Sequence, residues 1–222
     1  MGTRIQNLAN NFTTAGIVKA AAINDASVSG ITSIPAGVGG ALTLLSTQTA
    51  SASASIEFTS GIDSTYDSYV FKFINIHPQT DRDEFQFNLS TDGGSNYNVT
   101  KTSTFFSAYN YESIVASQLD YRTADDLAQS TSDQRLVDFE NLSNDNDHGL
   151  CGTLNLFNPS STTFVKHFTS KFAMINDGEG QDYASNTFVA GYGNTTSAID
   201  AVRFQMSSGN IDDGIIKMYG VK

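Results

Sequence analysis

A chain of 222 residues that is 39% hydrophobic and 11% aromatic, with fifteen Phe, nine Tyr and no Trp, carries enough apolar side chain for one β-rich core and is excluded from the wholly disordered class. Its formal charge of −11 would repel a phosphate backbone and argues against nucleic-acid binding. Cys151 is the one cysteine, which excludes an intrachain disulfide and a multi-thiolate zinc site, and no apolar run approaches the roughly 18 residues needed to enter a membrane as a spanning helix.

Residues 1–40 stand apart in composition. Their only charges are Arg4, Lys19 and Asp25, for a net +1, and they hold six of the eighteen glycines; the remaining chain carries −12. Ile5, Leu8 and Phe12, spaced i, i+3, i+7, would share one face of a short helix, and residues 15–23 would add another turn or two. Residues 27–40, with Gly30, Pro35, Gly37, Gly39 and Gly40, read as a flexible linker. An extended or partly helical arm that orders only against a partner is one reading, and a frayed terminus is the other. The start lacks the apolar segment of a secretory signal, so synthesis in a cytoplasm is expected.

From Ala41 the pattern changes to period two. Leu42 and Leu44 alternate with polar residues, as do Ala52, Ala54, Ile56 and Phe58. Residues 69–76 are apolar on both faces, as for a central strand covered on both sides. Residues 84–89 alternate into Thr91-Asp92-Gly93-Gly94-Ser95-Asn96, a turn that needs the positive φ open to glycine. Thr104 to Tyr111 extends as a strand. Residues 112–148 read as a long acidic excursion with a helical turn at 125–129; they hold nine acids against Arg122 and Arg135, and a solvated face is the expected role for most of those acids. Strand character resumes at 150–157, where Cys151 is expected to be a buried small hydrophobe, then at 164–175 and 187–192. The chain closes with Val202, Phe204 and Met206, the connector Ser207-Ser208-Gly209-Asn210, and a second apolar run from Ile215 to Val221, read together as a β-hairpin. Eight to ten strands and almost no amphipathic helix predict an all-β antiparallel sandwich, specifically a jelly roll.

Motifs for hydrolase nucleophile elbows, zinc proteases, phosphate loops and dinucleotides are missing, and no cofactor is expected. His77, His148 and His167 read as structural histidines that the sequence does not bring together. Asp125/Asp126 and Asp145/Asp147 are the carboxylate pairs a glycosidase would draw on. Asn144 to Asp147 and Asp177 to Asp182 offer oxygen ligands for calcium without matching the twelve-residue EF-hand loop. Tyr66, Tyr69, Tyr97, Tyr109 and Tyr111 are candidates for stacking on the apolar face of a sugar.

Four stretches in order, Ser60 to Phe73 with Asn75-Ile76-His77-Pro78, Phe85-Gln86-Phe87 with Asp92 to Tyr97, Leu156-Phe157-Asn158-Pro159-Ser160-Ser161, and Phe204 to Val221, resemble virion structural proteins of tailed phages, especially those of marine bacteria. The family's closing Gly-Thr-Ile/Val-Lys/Arg-Leu-Tyr-Gly is matched here with Ile215 and Met218 at the Thr and Leu places, changes that keep strand character. Thr3 to Asn11 is similar to N-termini of other virion proteins in which an arm docks into a neighbouring subunit. The resemblance implies a β-sandwich displayed on the particle, over residues 41–222; it does not imply an active site or a position on the particle.

The expectation is therefore a non-enzymatic virion component, made in the host cytoplasm. Residues 1–40 anchor it to other virion proteins through Ile5, Leu8 and Phe12, and it forms a homo-oligomer, trimeric or following its attachment site. A tail adaptor or fibre-type protein is favoured over a capsid decoration protein. The alternatives are a carbohydrate-binding module that reads host-surface glycans and, ranked lower, a glycan depolymerase.

Overall fold

The computed structural model describes residues 42–138, 142–177 and 181–222. The expected arm with Ile5, Leu8 and Phe12 lies outside them, as do residues 178–180 of the second calcium-type loop. Among the described residues there are twelve strands: β1 Thr43–Ser53, β2 Ile56–Phe58, β3 Ser68–Pro78, β4 Phe85–Ser90, β5 Lys101–Tyr111, β6 Ser117–Tyr121, β7 Gln134–Arg135, β8 Leu150–Phe157, β9 Lys166–Asp177, β10 Asp182–Gly193, β11 Ala201–Met206 and β12 Ile211–Val221. No helix occurs among the described residues, so none there is long and apolar enough to cross a membrane.

The strands form an eight-stranded sheet, in the order β1-β12-β3-β8-β9-β10-β5-β6, and a four-stranded sheet, β2-β11-β4-β7. Every pairing is antiparallel. The pairs β1·β12, β2·β11, β3·β8 and β4·β7 nest the two ends of the chain around its middle and alternate between sheets. That is the jelly-roll wrap, with β5 and β6 inserted before its fifth strand and β9 and β10 before its seventh, so that one sheet is doubled in width. The expected all-β sandwich is thus observed, with twelve strands in place of eight to ten.

Apolar residues at alternate positions send one row from each sheet inward. Phe204 of β11 sits at the centre of the resulting core. Its ring lies 4.9 Å from Phe73, 5.3 Å from Phe71, 6.0 Å from Phe85 and 6.2 Å from Phe58, and Phe87 of β4 meets Phe168 of β9 edge-to-face at 5.0 Å. Such aromatic pairs add about 0.5–1.5 kcal/mol each beyond the area they bury. The Asp92 turn forms as expected: Ser90 Oγ accepts from the amides of Asp92 and Gly94, Asp92 Oδ1 accepts from that of Asn96, and Gly93 and Gly94 adopt φ of +71° and +87°.

Several sequence expectations are corrected. The closing segment is not a hairpin. β11 belongs to the small sheet and β12 to the large one, and the connector carries the chain across the sandwich edge, where the buried Asp83 carboxylate holds the Ser207 hydroxyl and the Ser208 amide. The alternation over residues 42–58 likewise spans two strands in different sheets. β3 is central, but Tyr69, Phe71, Phe73 and Ile76 are buried whereas Val70 and Lys72 are half-buried and Ile74 is exposed, so only its inner face is covered among the described residues. Cys151 is exposed on the outer face, because its neighbours Leu150 and Gly152 flank it in a strand whose inward positions start at Leu150. Residues 125–129 form no helix; a single turn closes from the Asp125 amide to Arg122 O at 3.2 Å.

The acidic excursion is part of the body. Leu136, Val137 and Leu142 are buried, and the segment covers the inner side of β5 and β10, where Ser103, Ser107, Ser185 and Thr187 point inward beside Phe105 and Val189. Those hydroxyl residues meet backbone: Thr187 Oγ1 donates to Leu136 O at 2.7 Å, and Ser103 Oγ accepts from the Leu127 amide at 2.9 Å. Two of the acids are accordingly buried, Asp125 at 3% and Asp138 at 2% exposure. A buried carboxylate is tolerated where hydrogen-bond donors or cations stand close by. Arg135 supplies one, donating to Glu84 at 2.7 Å and to Asp125 at 2.8 Å.

Candidate functional site

The ends of β5 and β10, the segment just after β6, and Asp138 enclose a small cavity of about 140 Å³ lined by Tyr109, Tyr111, Tyr183, Arg122 and Asp138. Antiparallel pairing of Tyr183 with Tyr111, and of Ser185 with Tyr109, brings the three rings together. Tyr109 lies 5.7 Å from both Tyr111 and Tyr183, and Tyr111 lies 5.0 Å from Tyr183. Tyr183 is buried; Tyr109 and Tyr111 each keep part of a ring open.

Arg122 and Asp138 form the polar wall. Arg122 Nε stands 3.8 Å from Asp138 Oδ1 and 3.5 Å from Asp125 Oδ2, distances of charge pairing without hydrogen bonding. Asp138 Oδ1 and Ser107 Oγ are buried with no hydrogen-bond partner, although Ser107 lies close enough to favour the Asp138 anion. Burial pushes the Asp138 carboxyl above the usual carboxylate range, with Arg122 opposing that shift. Burial likewise raises the Tyr183 phenol, so it is protonated and available as a donor at neutral pH.

The sequence candidates for sugar stacking therefore separate. Tyr109 and Tyr111 share this cavity. Tyr66 pairs with Tyr69 at 6.0 Å in another part of the sandwich, where the buried Tyr69 hydroxyl is engaged by Asp63. Tyr97 stacks beneath the Arg203 guanidinium at 4.6 Å. Tyr183 was missed, and its one signal is the register that sets β10 against β5.

A second cavity, of about 480 Å³, is lined by Asn75, His77, Asp147, His148, Asp212 and Asp213 among others. It brings two histidines together, which the sequence did not. His77 Nδ1 is 3.8 Å from Asp212 Oδ2 and its Nε2 is 3.1 Å from Asp145 O, while His148 Nε2 is 3.7 Å from Asp182 Oδ2. His167 lies apart, beside Tyr192 on β10. Among the described residues no group of three His, Cys, Asp or Glu side chains is placed to hold a metal. The carboxylate pairs are also spoken for in part: Asp125 by Arg135, and Asp126 by the Tyr121 hydroxyl at 2.6 Å.

The third feature is the outer face of the large sheet. Leu44, Ile74, Phe106, Leu119, Tyr121 and Phe157 are exposed there at 39–70%, with Ile114 and Val115 at the tip of the β5–β6 hairpin. One cross-strand row runs Lys217, Lys72, Thr153, Lys171 and then Phe188, Phe106, Tyr121. Three of the chain's twelve basic residues thus sit in line beside an aromatic half-row, with Phe106 and Phe188 stacked at 5.0 Å.

Fold and surface define an all-β jelly-roll protein with one sheet left broad and uncovered among the described residues. No family model, curated protein or solved structure matches the chain.

Proposed function

We propose that this protein is a non-catalytic structural component of a phage virion, a tail adaptor or fibre-type part in preference to a capsid decoration, that displays the jelly roll and is anchored through residues 1–40. The observation that carries the reading is the outer sheet face. Phe106 and Phe188, stacked on neighbouring strands, with Leu119 and Tyr121 on the adjoining β6, form an exposed apolar group at one end of this sheet, and such groups mark protein–protein contacts. Lys72 and Lys217 lie directly opposite each other on adjacent strands, with Lys72 Nζ 5.2 Å from the Tyr219 ring, and a negatively charged partner surface would relieve the like-charge repulsion. Repetition of the part around a symmetric attachment site, as a trimer or higher homo-oligomer, is included in the proposal.

The test is particle complementation. A chain lacking residues 2–30, and a full-length chain with Leu119→Glu and Phe106→Glu, should fold yet fail to co-purify with particles, whereas the wild-type chain co-purifies at fixed stoichiometry. Normal incorporation of both variants, or absence of the wild-type chain from purified particles, overturns the proposal.

A further inference from the structure

We propose that the cavity formed by Tyr109, Tyr111 and Tyr183 with Arg122 and Asp138 binds one uncharged saccharide residue, its apolar face on the tyrosine rings and two neighbouring hydroxyls bridging Arg122 and Asp138. The inference stands independently of the assembly role.

Size sets the first limit. A volume of about 140 Å³, equal to roughly five waters at about 30 Å³ each, is too small for a lipid or an extended peptide; it takes one face and two hydroxyls of a single sugar, whose remaining atoms stay at the open side beside the half-buried Tyr109 and Tyr111. Composition sets the second. Three clustered aromatic rings offer C–H-accepting faces, and the same rings would otherwise form a cage for a quaternary ammonium. Arg122 decides against that cation, because its guanidinium is permanently charged and lines the same wall. A free anion is disfavoured in turn by Asp138 at the wall and by Asp125 held beside Arg122. The ligand left is neutral, and it must donate as well as accept.

Hydroxyl groups do both. Asp138 Oδ1 is a buried acceptor with no hydrogen-bond partner, and leaving such a group unmade costs about 1–3 kcal/mol. The Arg122 side chain is 31% exposed, so it can donate to a ligand at the same wall in exchange for water. A vicinal diol that donates to Asp138 and accepts from Arg122 satisfies both, while its ring hydrogens meet Tyr109 and Tyr111, whose rings are partly open. Simple solvation by water would satisfy the polar atoms but would leave the three rings wet, so the aromatic lining favours an amphipathic ring over water.

The experiment is saturation-transfer NMR on the full chain with D-glucose, D-galactose, D-mannose and N-acetyl-D-glucosamine, each at millimolar concentration. Transfer to ring protons of at least one sugar is expected. Tyr109→Ala should weaken that sugar at least tenfold, and Arg122→Lys, which keeps the charge but loses the planar fork, at least fivefold; Tyr97→Ala, remote from the cavity, should leave it unchanged. Amide spectra matching wild type certify folding, and Arg122→Lys decides the matter if Tyr109→Ala does not fold. No transfer from any of the four sugars, preferential binding of tetramethylammonium, or binding insensitive to the folded cavity variants overturns the proposal.

Discussion

Lys101 of β5 reaches across the sandwich and donates from Nζ to Asn88 Oδ1 of β4 at 2.6 Å, with neither side chain exposed beyond 1%. A second bond, to Val99 O at 2.9 Å, completes the clasp, and Asn88 is itself oriented by its donation to Thr131 O at 3.0 Å. One buried ammonium therefore joins the two sheets and the acidic excursion at a single point. Burial pushes its pKa down to about 8. The unfolded chain keeps that proton up to about 10.4, so between these values the unfolded state binds more protons and stability must rise with pH. Urea unfolding should show a gain of up to about 2–3 kcal/mol between pH 8 and 10. Tyr97, raised to about 12 by burial and then by the Glu57 carboxylate, acts in the opposite sense above pH 10, where unfolded tyrosines ionise first. A stability maximum near pH 10 is expected. Asn88→Ala should cost about 1.5–3 kcal/mol at pH 7 and less at pH 9.5, and a pH-independent loss would contradict the clasp.

Phe204 is the side chain on which both sheets converge. Phe204→Ala is expected to cost about 3–5 kcal/mol, and Phe204→Leu substantially less because most of the volume is retained. Thermal unfolding followed by near-ultraviolet circular dichroism measures both.

Arg135 holds two buried carboxylates, Glu84 and Asp125, at 2.7 Å and 2.8 Å. Arg135→Met removes the cation and leaves both anions in the interior, a change expected to destabilise by about 3–5 kcal/mol. The triple change to Met at 135, Leu at 84 and Leu at 125 should recover most of that loss. Equilibrium denaturation of the single and triple variants checks the relation.

Cys151 reports on the outer face. Its thiol is exposed, bonded to Asn75 Oδ1 at 3.3 Å, and lies in the row next to Ala173. Maleimide should label the isolated native protein without denaturant and should fail to label it in assembled particles. Equal labelling in both states would show that this face stays open after assembly.

Much of the architecture is legible in the residues themselves. Period two in β4 and β11 marks inward Phe and Val positions, and Asp92-Gly93-Gly94 announces a turn whose backbone only glycine adopts cheaply. Two members of the tyrosine cavity, Tyr109 and Tyr111, carry their own aromatic signal. Tyr183, Arg122 and Asp138 do not. They converge from β10, from the residue after β6, and from beyond β7, and no local pattern reports that convergence.

Alternation states which way each side chain points, and so the sequence alone determined an antiparallel all-β body with a phenylalanine core. It could not state which strands pair. β11 and β12 look like a hairpin because strand pattern and turn residues are local, yet hydrogen-bond partners are chosen by the whole core, which places one strand in each sheet. The burial of Asp125 and Asp138 has the same origin. A run of acids reads as solvated until tertiary packing brings Arg122 and Arg135 against it, since the free energy of a charge depends on what surrounds it and not on its place along the chain.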